Sequence, residues 1–344
     1  MSLLVVHSGR FADHAPPPGH PERADRNAVM QAAAEKWRAL GATLAEPRPA
    51  TREEILRVHS TRFVETLEAA AGRAVMLDPD TFTSPATWDV TRLAAGAALV
   101  AVDHVLDGRA GRAMALARPP GHHSGRGLAR GFCLVNSVAV AAAHALQRGV
   151  GRVAIIDFDV HHGNGTQEIF DTHPRVLFVS THQWPFYPGT GAVDDAGNGE
   201  GRGFTVNVPI ERGATDADYD AIFRHLGMPV VRAFDPDLIL VSAGYDAHER
   251  DPLGGMRVTT DGFGSLVRHL VATADACCGG RLVLVTEGGY DLPALGESVD
   301  ATLAVLHAGG DAPPEPEAGS GVTACGLAAL GRARAVQSRY WRGL

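Results

Sequence analysis

Short apolar runs rich in β-branched residues alternate along the chain with alanine-rich stretches of helical period, and this alternation narrows the fold more than any other feature. Leu3–Val6, Ala113–Ala117, Val153–Ile156, Val176–Val179, Thr205–Val208, Leu238–Val241 and Leu282–Val285 read as buried strands. Asp25–Leu40, Arg52–Ala71, Ala86–Leu106, Asn136–Gln147, Asp216–Ala233, Asp261–Cys277 and Asp291–Leu306 read as helices. Strands alternating with helices predict an α/β fold, a single open, mostly parallel β-sheet flanked by helices on both faces. No break marks a second domain, so residues 1–344 are expected to form one domain. A Pro/Gly-rich connector over residues 309–321 leads to a short C-terminal helix, roughly Val322–Arg342.

Hydrophobic residues make up 45% of the 344 and charged residues 20%, enough to build a sizeable core and to exclude wholesale disorder. The net charge of −8 argues against a general nucleic-acid binder. Cys133, Cys277, Cys278 and Cys325 contain no CxxC pair, which fits a reduced, cytoplasmic setting. The first residues lack a basic segment followed by a long apolar run, and no apolar run reaches the ~18 residues of a membrane span. No nucleic acid and no membrane are therefore expected as partners; a homo-oligomer stays open.

Each strand is followed by polar, glycine-flanked residues. Ala113–Ala117 runs into Arg118-Pro119-Pro120-Gly121-His122-His123, and Val153–Ile156 into Asp157-Phe158-Asp159-Val160-His161-His162-Gly163-Asn164-Gly165. Val176–Val179 runs into Ser180-Thr181-His182, Leu238–Val241 into Ser242-Ala243-Gly244-Tyr245-Asp246, and Leu282–Val285 into Thr286-Glu287-Gly288-Gly289-Tyr290. In an open parallel sheet, ligands bind at the carboxyl ends of the strands. Five strands thus deliver chemistry to one edge.

Asp159 and His161 are two apart, so on an extended strand their side chains share a face. With Asp246 they make a three-ligand zinc set that leaves a coordination position open. The alternative is that Asp246 caps a loop while Asp159 and His161 pair locally. His162 points to the opposite face and reads as structural. The tandem His122-His123 needs partners to fix its tautomers, and Asp157 and Asn164 are the nearby supply. A histidine paired with Asp is more basic than one paired with Asn, an asymmetry that can divide general-base from general-acid work; otherwise the two are surface residues in a turn. Tyr290, after two glycines, can donate to a developing oxyanion, or simply pack at a strand end. Glu287 reads as structural. Phe132 and Tyr187, in glycine-rich loops, can wall a narrow apolar tunnel, or pack within their loops.

Taken together, these segments resemble the zinc-dependent histone deacetylase family, in particular its class II branch and bacterial relatives within the arginase–deacetylase superfamily. The segments that carry the resemblance are RPPGHH (Arg118–His123), GFCLVN (Gly131–Asn136), DFDVHHGNG (Asp157–Gly165), YPGTG (Tyr187–Gly191), SAGYDAHERDPLGG (Ser242–Gly255) and EGGYD (Glu287–Asp291). The resemblance implies an amidohydrolase that removes an acetyl or longer acyl group from an acyl-lysine peptide or a small acylated amine with a metal-activated water. It implies zinc on Asp159, His161 and Asp246. Proton handling falls to His122 with Asp157 and His123 with Asn164, and oxyanion stabilisation to Tyr290. It implies K+ held by Asp157, Asp159, His161, Ser180 and Thr181, and a second K+ by Phe170, His173, Val176 and Phe204. The expected substrate-binding residues are Gly131, Phe132, Tyr187, Leu253 and Gly289. The segment His20-Pro21-Glu22-Arg23 resembles the family's first substrate loop, with Arg23 expected near an internal channel for the released acid.

Two departures bear on substrate. Tyr187 stands where many members have Phe, making one tunnel wall more polar. Leu253 stands where polyamine-selective members carry Glu, which favours acyl-lysine over acetylpolyamine. Deacylation of an acetylpolyamine or another small amide by the same mechanism is the alternative. A binuclear manganese ureohydrolase is disfavoured because the tandem histidine and Tyr290 would have no work there. A non-catalytic acyl-lysine binder is disfavoured because all the reactive residues are present.

Overall fold

The structure is a computed structural model and describes residues 2–311, 313–314 and 321–344. The connector expected over 309–321 falls largely outside them. In chain order the elements are β1 (Leu3–Val6), α1 (Asp25–Ala39), β2 (Thr43–Ala45), α2 (Arg52–Leu56), α3 (Thr61–Ala69), β3 (Met76–Asp78), β4 (Thr81–Phe82), α4 (Thr87–Leu106), β5 (Arg112–Ala115) and α5 (Ser137–Gln147). They continue with β6 (Val153–Asp157), α6 (Asn164–Phe170), β7 (Val176–Gln183), β8 (Thr205–Ile210), α7 (Asp216–Ile222), α8 (Met228–Phe234), β9 (Leu238–Ala243), α9 (Thr260–Cys278), β10 (Leu282–Thr286), α10 (Leu292–Ala308) and α11 (Ala324–Gln337).

Eight strands form one sheet in the order β2-β1-β5-β10-β9-β6-β7-β8, with every pairing parallel. The α/β expectation therefore holds. The register sorts side chains by face, because successive residues of a strand point opposite ways. Leu4, Ala113, Val283, Leu240, Ile155 and Phe178 lie across one face and join a core with α2 to α5. Val5, Met114, Leu284, Val241, Ile156 and Val179 lie across the other and join a core with α1 and α7 to α11. Burial on both faces explains why these strands read as continuous apolar runs. Fully burying each Val, Leu or Ile contributes ~1.5–3 kcal/mol before conformational entropy is counted.

Strand β5 stops at Ala115, two residues short of the expected end, β8 runs on to Ile210, the last helix is shorter than expected, and three elements differ more. The helix expected over Arg52–Ala71 is two, α2 and α3, broken where Ser60 caps α3 by accepting from Phe63 N–H, while Ser60 N–H donates to Arg126 O at 2.7 Å. A cap plus a tertiary bond outweighs the helical period across the break. The helix expected over Asp216–Ala233 keeps its course but loosens into a π turn at Phe223–Gly227, just ahead of Pro229, which has no N–H for the ladder. Strand β7 runs past Val179 through Ser180, Thr181 and His182 to Gln183, because β8 pairs with it along that length. The short β2, β3, β4 and α6 carry too few periodic residues to be read locally.

Alanine-rich α4 lies against β1, β5 and β10. Its Gly96 meets the backbone of Arg48, where an added Cβ would sit 1.6 Å from the carbonyl oxygen. Gly96→Ala is expected to destabilise the fold by about 1–3 kcal/mol or more. Gly331→Ala in α11, where nothing among the described residues lies within 4 Å of an added Cβ, is expected to be neutral or to stabilise by up to ~1 kcal/mol. Denaturant unfolding of the two variants checks the contrast; equal effects would contradict the packing described.

Candidate active site

Four neighbouring strands, β5, β10, β9 and β6, end at the same edge of the sheet. Beyond or at their ends lie His122 and His123, then Glu287 to Tyr290, then Asp246, then Asp157 to His161. Strand β6 stops at Asp157, so Asp159 and His161 are not on an extended strand as expected; both sit in the turn beyond it. The turn and Asp246 still bring the three together. His161 Nδ1 is 3.1 Å from Asp159 Oδ1 and 3.1 Å from Asp246 Oδ2, and one ligand atom from each residue falls within 4.8 Å of the others. Tetrahedral zinc with bonds of about 2.1 Å needs its ligand atoms ~3.4 Å apart, so this donor set fits such an ion. The free carboxylate oxygens are oriented by backbone: Val160 N–H donates to Asp246 Oδ1 at 2.9 Å, and Gly288 N–H to Asp159 Oδ2 at 2.9 Å. Gly288 has no alternative, since a Cβ there would lie 2.1 Å from Asp246 Oδ2.

The electrostatics are those of three buried groups sharing too few charges. Burial alone would lower His161, but hydrogen bonds to Asp159 and Asp246 and their negative charges outweigh it and raise it to about 10. Burial and then the charge of Asp159 raise Asp246 to about 7. Asp159 resists burial because His122 and His161 hold it well below the usual carboxylate range.

The tandem histidines are buried and tilted against each other with ring centroids 4.1 Å apart. His122 Nδ1 meets Asp157 Oδ2 at 3.0 Å, and His123 Nδ1 meets Asn164 Oδ1 at 2.8 Å. Both pairs are those expected from the sequence. For His122, burial is overcome by the charges of Asp159 and Asp157, which raise it well above its usual value. For His123, burial and the positive fields of His122 and His161 push it well below. Glu287 is more than packing: its Oε2 accepts from Gly121 N–H at 2.6 Å and His122 N–H at 3.1 Å, and its Oε1 from Ser242 at 3.1 Å. His122, Cys133 and Glu287 form a second buried group of the kind that holds metals, but these bonds already occupy Glu287.

Tyr290 is placed by two groups the sequence reading missed. Asp251 Oδ2 accepts from Tyr290 N–H at 2.7 Å, and the Arg26 guanidinium lies 5.1 Å from the Tyr290 ring centroid. Arg26 also donates to Gly289 O at 2.8 Å, to Glu287 O, and to Glu22 Oε1 at 3.0 Å. Glu22 in turn accepts from Nε and Nη2 of the buried Arg118 guanidinium, at 2.8 and 2.7 Å. Arg23, expected near an internal channel, is instead at the surface, its side chain 53% exposed and 3.5 Å from Asp25. The helical spacing of Glu22 and Arg26, four residues apart, was the available signal.

A cavity of about 180 Å³ leads to these groups, lined by Phe132, Tyr187, Gly131, Leu253, Phe186 and Asp80 with His123, His161 and Tyr290 at its base. Phe186 stacks on the His161 ring at 15° and 5.3 Å. Asp80, also missed, accepts from Gly131 N–H at 3.1 Å. Gly289, expected on the wall, does not line the cavity: its carbonyl is turned to Arg26. His162 bonds Thr190 and Gln167, away from the metal group. Ser180 and Thr181 lie inside β7 beside Asp157, which pairs with Ser180. Phe170 ends α6, His173 lies on the connection to β7, and Val176 begins β7; Phe170 O accepts from His173 N–H at 2.8 Å and Phe204 O from Phe178 N–H at 2.9 Å. Among the described residues no helix is long and apolar enough to cross a membrane.

The sequence profile of the histone deacetylase domain matches residues 20–306. A probable deacetylase of Archaeoglobus fulgidus is 40% identical over 291 residues, covering 84% of this chain and 81% of that protein. The polyamine deacetylase HDAC10 of Homo sapiens is 42% identical over 318 residues, covering 86% of this chain and 46% of that protein. The crystal structure of the HDA15 HD domain superposes with a TM-score of 0.91 at 35% identity, covering 99% of this chain and 96% of that one.

A divalent ion entering the Asp159–His161–Asp246 group must displace protons, one held by His161 up to about 10 and one that Asp246 loses near 7. Zinc affinity, measured by chelator competition, is therefore expected to rise from about pH 6 to 8, roughly tenfold per pH unit for each displaced proton. A flat profile would contradict this proton count.

Proposed function

The chain belongs to the histone deacetylase family, and on that premise we propose that it is a zinc-dependent amidohydrolase that removes an acetyl group from acyl-lysine-like amides. The observation that carries this reading is the convergence of His161 on Asp159 and Asp246 beside two His pairs of opposite character, at the base of a narrow cavity. Asp159, His161 and Asp246 would hold the zinc, which supplies Lewis acidity toward a carbonyl oxygen and lowers the pKa of a water. The potassium ions implied by the resemblance, on Asp157, Asp159, His161, Ser180 and Thr181 and on Phe170, His173, Val176 and Phe204, belong to the same proposal.

His123 lines the cavity, and its Nδ1–H is spent on Asn164, so Nε2 is left as an acceptor. Held neutral by burial and by its positive neighbours, it takes the proton of the attacking water and passes it to the departing amine. His122, kept cationic by Asp159 and Asp157, contributes positive charge beneath the reaction rather than a base. Tyr290 keeps its proton, because burial raises its phenol well above the usual value, and donates it as a hydrogen bond to the oxyanion of the tetrahedral intermediate. Phe132 and Phe186 exclude water around a linear methylene stem. Asp80 offers an acceptor at the wall for an N–H of the substrate.

Leu253 on the cavity wall carries no charge to attract a second ammonium, which supports acyl-lysine over acetylpolyamine. The similarity to a polyamine deacetylase keeps the small-amine reading as the alternative.

Tyr290→Phe is expected to retain zinc, by metal analysis, while losing about 10²–10³ in kcat; near-normal turnover in the zinc-loaded variant would remove the oxyanion role. In paired kinetics, kcat/KM is expected to be higher for an acetyl-lysine peptide than for N-acetylspermidine. Leu253→Glu should shift the ratio about tenfold toward the polyamine, the effect of one added charge pair at intermediate polarity. A polyamine preference in the unaltered chain would move the function to small amines with the mechanism unchanged.

A further inference from the structure

A second cavity, of about 280 Å³, opens away from the tunnel, where the Ser124–Arg126 loop, α5 and the end of α6 meet. Arg57, Arg126, Arg175 and His173 line it, and among the described residues no carboxylate does. Leu146 and Phe170 contribute to an apolar wall. In a chain of net charge −8, three guanidiniums facing one cavity with no acid lining it among the described residues concentrate positive charge there.

The neighbouring acids are engaged elsewhere. Asp103 takes His144 and Arg148, both at 2.7 Å. Glu168 takes Arg130 at 3.2 Å and the backbone N–H of Arg126 at 3.0 Å. The basic groups are also held in position. Arg126 Nη2 donates to Ile169 O at 2.7 Å, and Arg57 Nη1 lies 3.2 Å from His144 Nδ1. His173 Nδ1 accepts from Arg175 N–H at 3.3 Å, which leaves Nε2–H as a donor.

We propose that this cavity binds a small organic phosphate, its phosphoryl oxygens on Arg57, Arg126, Arg175 and His173 and its organic part on the apolar wall. Guanidinium forks match phosphoryl oxygens in pairs, which a carboxylate product such as acetate exploits only once. The site lies at the far end of α6, whose first residue, Asn164, holds His123.

Isothermal titration of the purified chain with phenyl phosphate and with inorganic phosphate tests the proposal. The expected result is saturable phenyl phosphate binding with a Kd of about 1 mM or tighter, weaker binding of inorganic phosphate, and loss of affinity as salt is raised. Arg57→Gln and Arg175→Gln, at exposed side chains with no carboxylate partner among the described residues, should each weaken binding at least about fivefold with Tm essentially unchanged. Absence of saturable binding, or equal binding by the unaltered chain and both variants, would overturn the site. Equal affinity for the two phosphates would overturn the role of the apolar wall.

Discussion

The parallel pairing of β5, β10, β9 and β6 is the constraint on which the rest of the molecule depends. Each of these strands carries part of the chemistry just beyond its end, and the hydrogen-bonded register sets where those ends lie relative to one another. Asp157 pairs with Ser242 across β6 and β9, and Thr286 pairs with Ala243 across β10 and β9. A slip of one residue in any pair would turn an entire strand inside out and move a ligand or a histidine by more than a bond length. The two cores, one on each face, hold the register because the apolar residues of these strands alternate between them.

The site then has to hold Asp157, Asp159, Asp246 and Glu287 out of water. Unpaired, such groups would take up protons or destabilise the fold. Backbone N–H groups from neighbouring loops resolve most of this. Asp157 accepts from Asp159, Asp159 from His161 and Gly288, Asp246 from Val160, and Glu287 from Gly121 and His122. The same bonds that satisfy the carboxylates also tie the loops together, so positions that tune charge also set geometry. Glycines stand where this approach leaves no room for a Cβ, as at Gly288.

The sequence was most legible where periodicity is strong and least legible where long-range contact decides. Seven strands were readable because burial on both faces leaves an apolar run that a short window detects. The break at Ser60 was hidden inside an amphipathic pattern and came from a bond to Arg126 sixty-six residues away. In the site, Asp157, Asp159, His161 and Asp246 could be singled out because polar residues at the end of a buried strand need a reason. Asp251 could not, since it acts on backbone atoms of a loop distant in sequence, and Arg26 had only its spacing from Glu22 to mark it. Arg23 was misplaced because the motif it belongs to names a segment without saying which of its arginines turns inward.

By itself, the sequence determined the alternation of strand and helix, the parallel character of the sheet and the chemical kinds of residue at the strand ends. These follow from side-chain period and composition, which act over a few residues. Only the tertiary structure decided that the strands lie in the order β5-β10-β9-β6, that the imidazole of His161 faces two carboxylates at once, and that Arg26 rather than Arg23 is buried against Tyr290. Those outcomes rest on packing and hydrogen bonding between segments far apart in the chain, whose energies no local pattern records.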